Sequence, residues 1–554
     1  MLSEICSSRQ FLIHKYISAT SFSLCDGWQG IADGREAADY SFGELMLKKI
    51  GGVVALVGLC ALSLFLLNCG RSSSRPSGVL YVLTQGTNNG SLTGIGYNVS
   101  SFSIDLDNGD LSLVNSNAST CPGATASNPF PCGPPLDILL DPTGASAFVL
   151  NLGAPCPEVE VETQPGVYAW VCQPSTNTPI APTIYPYTVN SDGSLSAPGT
   201  AVTWTCPASV TPCTYNDSAV AMVRDASGQF LFVIDQGSYP PPGTGTPATP
   251  TTPALPPPYA SCPHVPTGPT DVCPSISVFA ISSTTLKLAS GSPFYLSKLP
   301  TALAPITFTP TSGTAQELLF VTNNHDICTT GCTPLNNDNT VSVYTVSSSG
   351  VLSEQANSPY AIAATDPISV FPVNTTIAGQ NTGGLFVYVG NEDPNGGHIY
   401  PFQVCTVVNN GGCTSTDVQD NLLTPLATCP QGVCTNVPPT NVGQDPVQML
   451  VDPTNNFLYE LNEGSNQISA FSVSATTGKL SALSQPTLPT GTQPVSMAMH
   501  PSEYVDGAYT GQFLYVSNAV SNNITGFSLS TTSGVMSALS PVIAPASPSG
   551  IAVH

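Results

Sequence analysis

Polar residues recur at the end of a repeated apolar run and are the first candidates for chemistry in this chain. The run is found seven times, as in FLYELN and FLYVSN, and six copies end in Asn or Asp: Asn151, Asp235, Asn323, Asn391, Asn462 and Asn518. Converging amide and carboxylate oxygens could hold a hard cation such as calcium or orient a polar substrate. The alternative is that each side chain bonds the turn that follows its own run.

Acidic and basic residues follow several of these run ends. Glu392 and Glu463 come directly after their Asn, His325 comes two positions after Asn323, and His398 lies across the turn from Asn391. Hydrolysis needs a base that activates water, together with a donor or cation for the developing oxyanion. The candidate catalytic residues are therefore His325, Glu392, Glu463 and Asp235, and the candidate ligand-binding residues are Asn151, Asn323, Asn391, Asn462, Asn518 and His398.

The elements that must position these residues form an internal repeat. The stretch from Gln512 to Leu539 matches the stretch from Asn456 to Leu483 in kind at nearly every position. Alternating apolar residues predict short strands, and the Gly-containing tetrapeptides between them predict hairpin turns. A further strand precedes each copy, as in DPVQMLVDP and QPVSMAMHP. Four strands in a repeat of this length are typical of a propeller blade.

Counting the repeats predicts seven blades. The FLYV-type strand is found at Val79 to Thr84, Ala147 to Asn151, Phe230 to Asp235, Leu318 to Asn323, Phe386 to Asn391, and in the two copies already quoted. The preceding inner strand is also found seven times, but the last copy, SGIAVH, has no FLYV strand after it. We therefore predict an all-β, seven-bladed β-propeller of four-stranded antiparallel blades, closed by the C-terminal strand in the N-terminal blade.

The N-terminal region carries no repeat and predicts export. Residues 1–45 are interpreted as a misassigned extension, residues 46–68 as a signal peptide, residues 69–78 as a tether and residues 79–554 as the propeller. Two lysines, an apolar run and Cys69 resemble a bacterial lipoprotein signal, in which that cysteine is acylated, although Asn68 stands where a small residue is usual. The alternative is an uncleaved membrane helix from Ile50 to Leu67.

Composition agrees with an exported β-protein. The chain has 11 basic and 34 acidic residues, and its net charge of −23 disfavours nucleic acid and anionic lipid as ligands. Past Cys69, the other 14 cysteines form seven close pairs: 121 with 132, 156 with 172, 206 with 213, 262 with 273, 328 with 332, 405 with 413, and 429 with 434. We predict local disulfides. A zinc site at Cys328, Cys332 and His325 is the alternative.

Most insertions are predicted to lie on one face of the disc. Loops between the second and third strands and loops from the fourth strand to the next blade open on the same side, and they carry nearly all the cysteine pairs. Propellers usually place binding on such loops. Elsewhere, DLDNGD from Asp105 to Asp110 resembles a calcium loop, but it aligns with TTGKL of another blade, so a hairpin turn is preferred.

The repeated pattern, with Asp or His before Pro, then FLYV-x-N, then a Thr/Ser-Gly turn, resembles the lactonase branch of seven-bladed propellers. That group includes 6-phosphogluconolactonase and carboxymuconate cyclases, and it is similar to the YVTN-repeat surface proteins. The resemblance covers Val79 to His554 and implies hydrolysis of a lactone at the channel mouth by His, Glu and Arg. Arg224 is the only arginine past the tether and ends an inner strand toward the opposite face. The chain therefore offers almost no residues for the cationic clamp that a phosphorylated substrate requires.

Two functional hypotheses follow. The first is a lactonase, a carboxylic ester hydrolase of the 6-phosphogluconolactonase type, acting on an uncharged or weakly charged lactone. The second is a non-catalytic scaffold that binds a glycan or protein of the cell envelope through the loop face. In both, we expect a monomer at the bacterial cell envelope that contacts the membrane only through its lipid anchor. The sequence identifies no cofactor, and calcium is the candidate metal for the strand-end residues.

Overall fold

The structure, a computed structural model, describes twenty segments of the chain. All of them lie in one compact unit, Ser74–His554. The described residues are 78–85, 97–120, 133–152, 158–164, 167–172, 182–203, 219–236, 274–296, 298–309, 315–324, 339–364, 366–375, 384–392, 396–405, 423–428, 435–501, 504–505, 508–509, 512–544 and 547–554. Among them, no helix is long and apolar enough to cross a membrane.

The first three blades follow the predicted pattern of short strands. Blade one contains β1 (Val79–Thr84), β2 (Asn98–Ile104) and β3 (Leu111–Ser119). Blade two contains β4 (Pro135–Leu140) and β5 (Ser146–Asn151), an inserted hairpin of β6 (Glu158–Gln164) and β7 (Val167–Cys172), then β8 (Thr183–Thr188) and β9 (Val202–Thr203). Blade three contains β10 (Ala219–Arg224), β11 (Phe230–Asp235), β12 (Ser275–Ser282), β13 (Thr285–Leu288) and β14 (Phe294–Tyr295).

Blades four and five continue the same order. Blade four contains β15 (Leu299–Phe308), β16 (Gln316–Asn324), β17 (Thr340–Val346), β18 (Leu352–Glu354) and β19 (Tyr360–Ala361). Blade five contains β20 (Pro367–Asn374), β21 (Leu385–Asn391), β22 (His398–Val404) and β23 (Leu423–Pro425), an outer hairpin of β24 (Ala427–Thr428) and β25 (Thr435–Asn436), and β26 (Thr440–Asn441).

The last two blades lead to the closing strand. Blade six contains β27 (Pro446–Val451), β28 (Phe457–Asn462), β29 (Gln467–Val473) and β30 (Leu480–Pro489). Blade seven contains β31 (Pro494–His500), a hairpin of β32 (Tyr504–Val505) and β33 (Ala508–Tyr509), then β34 (Gln512–Asn518), β35 (Asn523–Leu529), β36 (Met536–Ala538) and β37 (Val542–Ile543). The final strand is β38 (Pro548–Val553).

The ring closes as the repeat count predicts. Strand β38 pairs antiparallel with β1, so the C-terminal residues supply the innermost strand of blade one. Each innermost strand contacts the next around the ring, including β31 with β38 and β38 with β4. Ser549 Oγ of β38 also donates a hydrogen bond to the Pro135 carbonyl of blade two at 3.1 Å. The predicted all-β, seven-bladed propeller is therefore confirmed.

The core lies in layers between successive blades. Leu461 and Tyr459 of blade six, for example, pack in one cluster with Val516 and Phe527 of blade seven, and all four side chains are at most 1% exposed. Full burial of an aliphatic or aromatic side chain of this size stabilises the fold by roughly 1.5–3 kcal/mol. The aromatic-aliphatic residues of the FLYV strand therefore hold neighbouring blades together.

A shared register brings the candidate residues to one face. The innermost strand starts opposite the last residue of the second strand, as Pro446 does opposite Asn462, and a bulge follows. The residue before this proline has a left-handed backbone, with φ of 46° at Asp445 and 44° at Asp366. Because its carbonyl accepts a hydrogen bond from the residue after the strand-end Asn, the two kinds of loop meet on the same side of the disc.

Candidate functional site

The strand-end Asn and Asp side chains are buried at matching places in six blades. Each ends the second strand of its blade or, for Asn323, stands one residue before that end, and none is more than 3% exposed. In three blades the amide nitrogen bonds the start of the third strand of the same blade. Asn323 Nδ2 donates to Thr340 Oγ1 at 3.2 Å, Asn462 Nδ2 to the Gln467 carbonyl at 3.2 Å, and Asn518 Nδ2 to the Asn523 carbonyl at 3.1 Å. These three amides hold the turn that follows their strand, whereas Asn151 Nδ2 donates to the Thr120 carbonyl of the preceding blade at 2.7 Å.

The side-chain oxygens of these Asn residues differ from blade to blade. Asn391 Oδ1 accepts from the His398 amide at 2.8 Å, and Asn518 Oδ1 accepts from the Gly491 amide at 3.0 Å. The Oδ1 atoms of Asn151 and Asn462 are buried without a hydrogen-bond partner. Their role in holding a ligand stays a prediction. Within the described segments, no group of three or more His, Cys, Asp and Glu side chains could hold a metal ion.

The two candidate glutamates occupy equivalent positions in adjacent blades. Glu392 N donates to the Asp366 carbonyl at 2.9 Å, and Glu463 N donates to the Asp445 carbonyl at 2.8 Å. Each hydrogen bond joins the turn after a second strand to the residue that enters an innermost strand. The same backbone motif therefore brings one Glu and one Asp per blade to the channel end of blades five and six.

The charges of Asp366, Asp445 and Glu463 act on the carboxyl group of Glu392, and we call these four residues the acidic mouth cluster. The pKa of Glu392 is raised, first by partial loss of solvent and then by the negative charges of Asp445, Asp366 and Glu463. Gln493 Nε2 donates to Glu463 Oε1 at 2.9 Å and fixes that side chain. The charge of Glu463 thus acts on Glu392, and the catalytic role of the two glutamates stays a prediction.

The other candidate residues are placed less closely together. His325 lies outside the described residues. Asp235 is 3% exposed and ends β11 in blade three, whereas the acidic mouth cluster belongs to blades five and six. His398 is half-buried at the start of β22, and its ring centroid lies 6.2 Å from that of Tyr400. The structure thus brings together Glu392 and Glu463, while Asp235 belongs to a different part of the ring.

Sequence reasoning missed Asp137, a carboxyl group on an innermost strand. Asp137 stands two residues after the proline that begins β4, where the other innermost strands have Ser, Gln, Ala or Gly. Its Oδ1 accepts from Ile138 N at 2.8 Å, and burial raises its pKa to about 7. Backbone hydrogen bonds from Ile138 and Met222 oppose this rise. Alignment of the innermost strands alone would have singled out this residue.

Arg224 lies at the opposite end of its blade from the mouth. Ala219 pairs with the strand-end Asp235, whereas Arg224 pairs with Leu231 at the far end of β10. Burial lowers the pKa of Arg224, and the charges of Asp225 and Asp141 oppose this change. The expectation that the one arginine past the tether faces away from the mouth is therefore confirmed by strand register.

The described residues exclude the predicted lipidation site and include only some of the cysteines of the predicted disulfides. Cys69 lies outside the described residues, as does the whole predicted signal peptide. Cys405 is disulfide-bonded and 1% exposed, and its predicted partner Cys413 is not among the described residues. The seven pairings therefore stay a prediction.

Comparisons with known proteins give a match to a lactonase model at the C-terminal end. Residues 448–552 match the family described as Lactonase, 7-bladed beta-propeller. A search of curated proteins found no significant match. Among solved structures, the chain is similar to the periplasmic gluconolactonase of Pseudomonas aeruginosa, with 16% identity, a TM-score of 0.45, and 85% of this chain and 98% of that chain covered.

A second similar structure is a candidate 6-phosphogluconolactonase from Bacteroides uniformis. It is 11% identical, with a TM-score of 0.46, and 86% of this chain and 99% of that chain are covered. With identities of 16% and 11% and TM-scores below 0.5, these similarities say nothing about the reaction of this chain. The lactonase family match covers blades six and seven and most of the closing strand.

Proposed function

We propose that the protein is a lactonase-type hydrolase whose base is a glutamate of the acidic mouth cluster. The observation that carries the proposal is geometric: the same backbone hydrogen bond places Glu392 and Glu463 at equivalent positions in adjacent blades, beside Asp366 and Asp445. A carboxylate with a raised pKa is a stronger general base than an ordinary one, so Glu392 is the better suited of the two to activate water. The match of residues 448–552 to the lactonase family supports the reaction class.

The proposed hydrolysis of a lactone uses one carboxylate as the general base and one water molecule as the nucleophile. The carboxylate of Glu392 takes a proton from water as the water oxygen attacks the lactone carbonyl. The tetrahedral intermediate then collapses, the ring C–O bond breaks, and the leaving alkoxide takes the proton from Glu392. The product is a hydroxy acid that loses its carboxyl proton to solvent, and the resulting carboxylate is repelled by the acidic mouth cluster, which favours its release. His325 stays a second candidate base.

The charge distribution selects the substrate class. Four carboxyl groups at the mouth disfavour an anionic substrate, and Arg224 lies at the other end of its blade. We therefore propose an uncharged or weakly charged lactone in place of a phosphorylated sugar lactone. The test is hydrolysis of neutral and phosphorylated lactones by the full chain, with and without calcium. Turnover of neutral lactones that is lost in Glu392→Gln supports the proposal.

A matched control separates catalysis from surface charge. Glu354 is exposed on β18 and accepts from Ser358 Oγ at 2.8 Å, a hydrogen bond that Gln can also accept. Glu354→Gln removes one negative charge at a position that is distant from the acidic mouth cluster, and it should leave turnover unchanged. Faster turnover of phosphorylated than of neutral lactones would overturn the proposed substrate class.

The remote position of Arg224 favours a second candidate function. In this alternative the propeller is a binding or scaffold protein that holds a glycan or protein of the cell envelope through its loop face. Because Arg224 is at the far end of β10, it could not stabilise an oxyanion that forms at the mouth. No turnover of any lactone, with retention of an envelope glycan or protein on the immobilised chain, would support this alternative.

Export and anchoring are part of the proposal. We propose that Cys69 is acylated after cleavage of the segment 46–68, and that the propeller is held at the cell envelope as a monomer. Mass spectrometry of the chain purified from bacterial membranes should show a lipid on Cys69. Cys69→Ser should release the protein from the membrane fraction, and retention of that variant in the membrane would contradict the anchor.

A further inference from the structure

Glu460 is a carboxyl group inside the core layer between blades five and six. It lies on β28, two residues before Asn462, and its side chain is 0% exposed. The equivalent residue in every other blade is a fully buried valine: Val82, Val149, Val233, Val321, Val389 and Val516. One blade in seven therefore replaces an apolar core residue with an acid.

The neighbouring blade is built to receive this carboxyl group. Ser369 Oγ, on the innermost strand of blade five, donates to Glu460 Oε1 at 3.4 Å. A Cβ atom at Gly390 would lie 2.3 Å from Ser369 Oγ and 3.2 Å from Glu460 Oε1, so a side chain there would collide with the pair. We call Ser369, Gly390 and Glu460 the polar seam. The glycine leaves the space that the larger Glu side chain occupies.

The described residues of the polar seam cannot neutralise a negative charge. The elements around Glu460 present Ser369 from β20, Gly390 from β21, Met449 from β27 and Ser469 from β29. None of these can carry a positive charge. An isolated buried carboxylate destabilises the folded state, and neutralisation by a proton avoids this cost. Burial raises the pKa of Glu460 well above its ordinary value, and only the Ser369 hydrogen bond opposes this rise.

A proton on the second oxygen would have an acceptor on the same strand. Glu460 Oε2 and Asn462 Oδ1 are both buried without a hydrogen-bond partner. Residues two apart in a strand project from the same face, so the two side chains share one side of β28. Protonation of Glu460 would place a donor on the side of β28 that also carries Asn462 Oδ1.

We propose that Glu460 is a proton-binding site of the polar seam, and that its neutral form positions Glu392 and Glu463. Glu392 follows Gly390 by two residues and Glu463 follows Glu460 by three, so the width of the seam sets the separation of the two mouth glutamates. Ionisation of Glu460 would place a fifth negative charge beneath the acidic mouth cluster. The positioning role rests on the proposed function, whereas the proton-binding role stands by itself.

Infrared spectroscopy of the full chain tests proton binding. At about pH 8.5, Asp137 and Glu317, whose pKa values are raised to about 7, are largely ionised. A carbonyl band of a protonated carboxylic acid, shifted by deuterium exchange, is expected in the wild type and should be missing in Glu460→Gln. Identical spectra from the two proteins would overturn the proton-binding site.

A seam graft tests positioning. The seam between blades four and five has Ala302, Thr322 and Val389 at the three equivalent positions, in the same cross-strand register. The combined variant Ser369→Ala, Gly390→Thr and Glu460→Val copies that seam and removes both contacts that a side chain at Gly390 would meet. It should fold, because blades four and five already use this packing. Gly390→Ala alone is the matched variant that should be destabilised.

The readout is the pKa of Glu392, measured by NMR titration in the wild type and the seam graft. A positioning role predicts a change of more than about 0.5 pH units, because the distances to Asp445 and Glu463 change. Glu460→Gln, which keeps size and hydrogen bonding, should retain the wild-type value. An unchanged pKa in a folded seam graft would overturn positioning. Absence of lactone turnover in the wild type would refute the proposed function without affecting either measurement.

Discussion

Tyr515 Oη donates a hydrogen bond of 2.8 Å to the carbonyl of Gly109, joining blade seven to blade one across 406 residues of sequence. The same bond links other neighbouring blades: Tyr81 to Gly193, Tyr388 to Gly478 and Tyr459 to Gly534. The Tyr of the FLYV strand and the Gly of the third-to-fourth-strand hairpin therefore form one inter-blade contact. Four of the seven blades have this Tyr, whereas blades two, three and four have Phe148, Phe232 and Phe320 at the equivalent position and make no such hydrogen bond.

Removal of this closing hydrogen bond should weaken the ring. Tyr515→Phe keeps the buried ring but leaves the Gly109 carbonyl without this donor, so we expect a loss of about 1–3 kcal/mol in the free energy of unfolding. Chemical denaturation of the wild type and the variant measures this loss in the free energy of unfolding. Tyr459→Phe, which removes the equivalent bond between blades six and seven, should lose a similar amount. An unchanged midpoint for Tyr515→Phe would show that the ring closes without this contact.

The hairpin glycine is required for two reasons that can be separated. Gly109 has φ of 81°, and a Cβ atom there would lie 2.5 Å from the Phe513 ring. Gly109→Ala should therefore cost more than the ~1 kcal/mol expected of backbone strain alone. Gly291 is the matched control, because it has φ of 83° and a Cβ atom there would lie 3.5 Å from the Phe294 ring, an ordinary contact. Equal losses for Gly109→Ala and Gly291→Ala would argue against close packing on Phe513.

The blade architecture could be predicted because its signals are local. Alternation and turn residues placed β1 and β11 with their observed bounds, and the offset of the inner strands predicted the closure through β38. The DLDNGD segment is a hairpin turn, in which Gly109 N donates to the Asp105 carbonyl at 2.7 Å. The short outer strands, such as β14 and β19, were not predicted, since two residues carry no readable period.

The site was predictable in part. The equivalence of Glu392 and Glu463 follows from the repeat, whereas their coupling to Asp366 and Asp445 depends on a backbone hydrogen bond between different loops. The sequence alone shows that Glu460 stands where the other six blades have Val. The environment of its side chain, however, depends on Ser369 and Gly390 of another blade. Such contacts between blades have no signature in one segment of sequence.

The stability of the protein should fall between about pH 4 and pH 7 through Asp137. Its folded pKa, about 7, is above the ordinary value of 3.8, so the folded state binds the proton more tightly. This contribution is complete below about pH 4 and is lost as the pH rises through 7. Asp137→Asn should flatten that decline, which we estimate at roughly 1–3 kcal/mol because the side chain is half-buried.

The control for this prediction is Asp192, an exposed residue whose pKa is lowered by hydrogen bonds from Ser194. A lowered pKa gives stability that is lost as the pH falls, so Asp192→Asn should not flatten the decline between pH 4 and 7. Unfolding midpoints measured across this range compare the two variants. A wild-type curve that rises between pH 4 and 7 in the same way as that of Asp137→Asn would contradict the raised pKa.

The cysteine pairs predict a chain without free thiols past Cys69. Alkylation of the denatured, unreduced protein should modify none of the 14 cysteines, and reduction should expose all of them. Peptide mapping before reduction would then identify the partner of Cys405, which is disulfide-bonded in the structure. Alkylation of Cys328 and Cys332 after addition of a chelator would instead support the zinc alternative.

The pH dependence of lactone hydrolysis tests the central claim most directly. If Glu392 is the general base, kcat/KM for a neutral lactone should rise with pH through a pKa above the ordinary Glu value of 4.5. High salt should move this step to lower pH, because it screens Asp445, Asp366 and Glu463. Glu392→Gln should lose about 10²-fold or more in rate together with the step. An unaltered profile in that variant would contradict catalysis by the acidic mouth cluster.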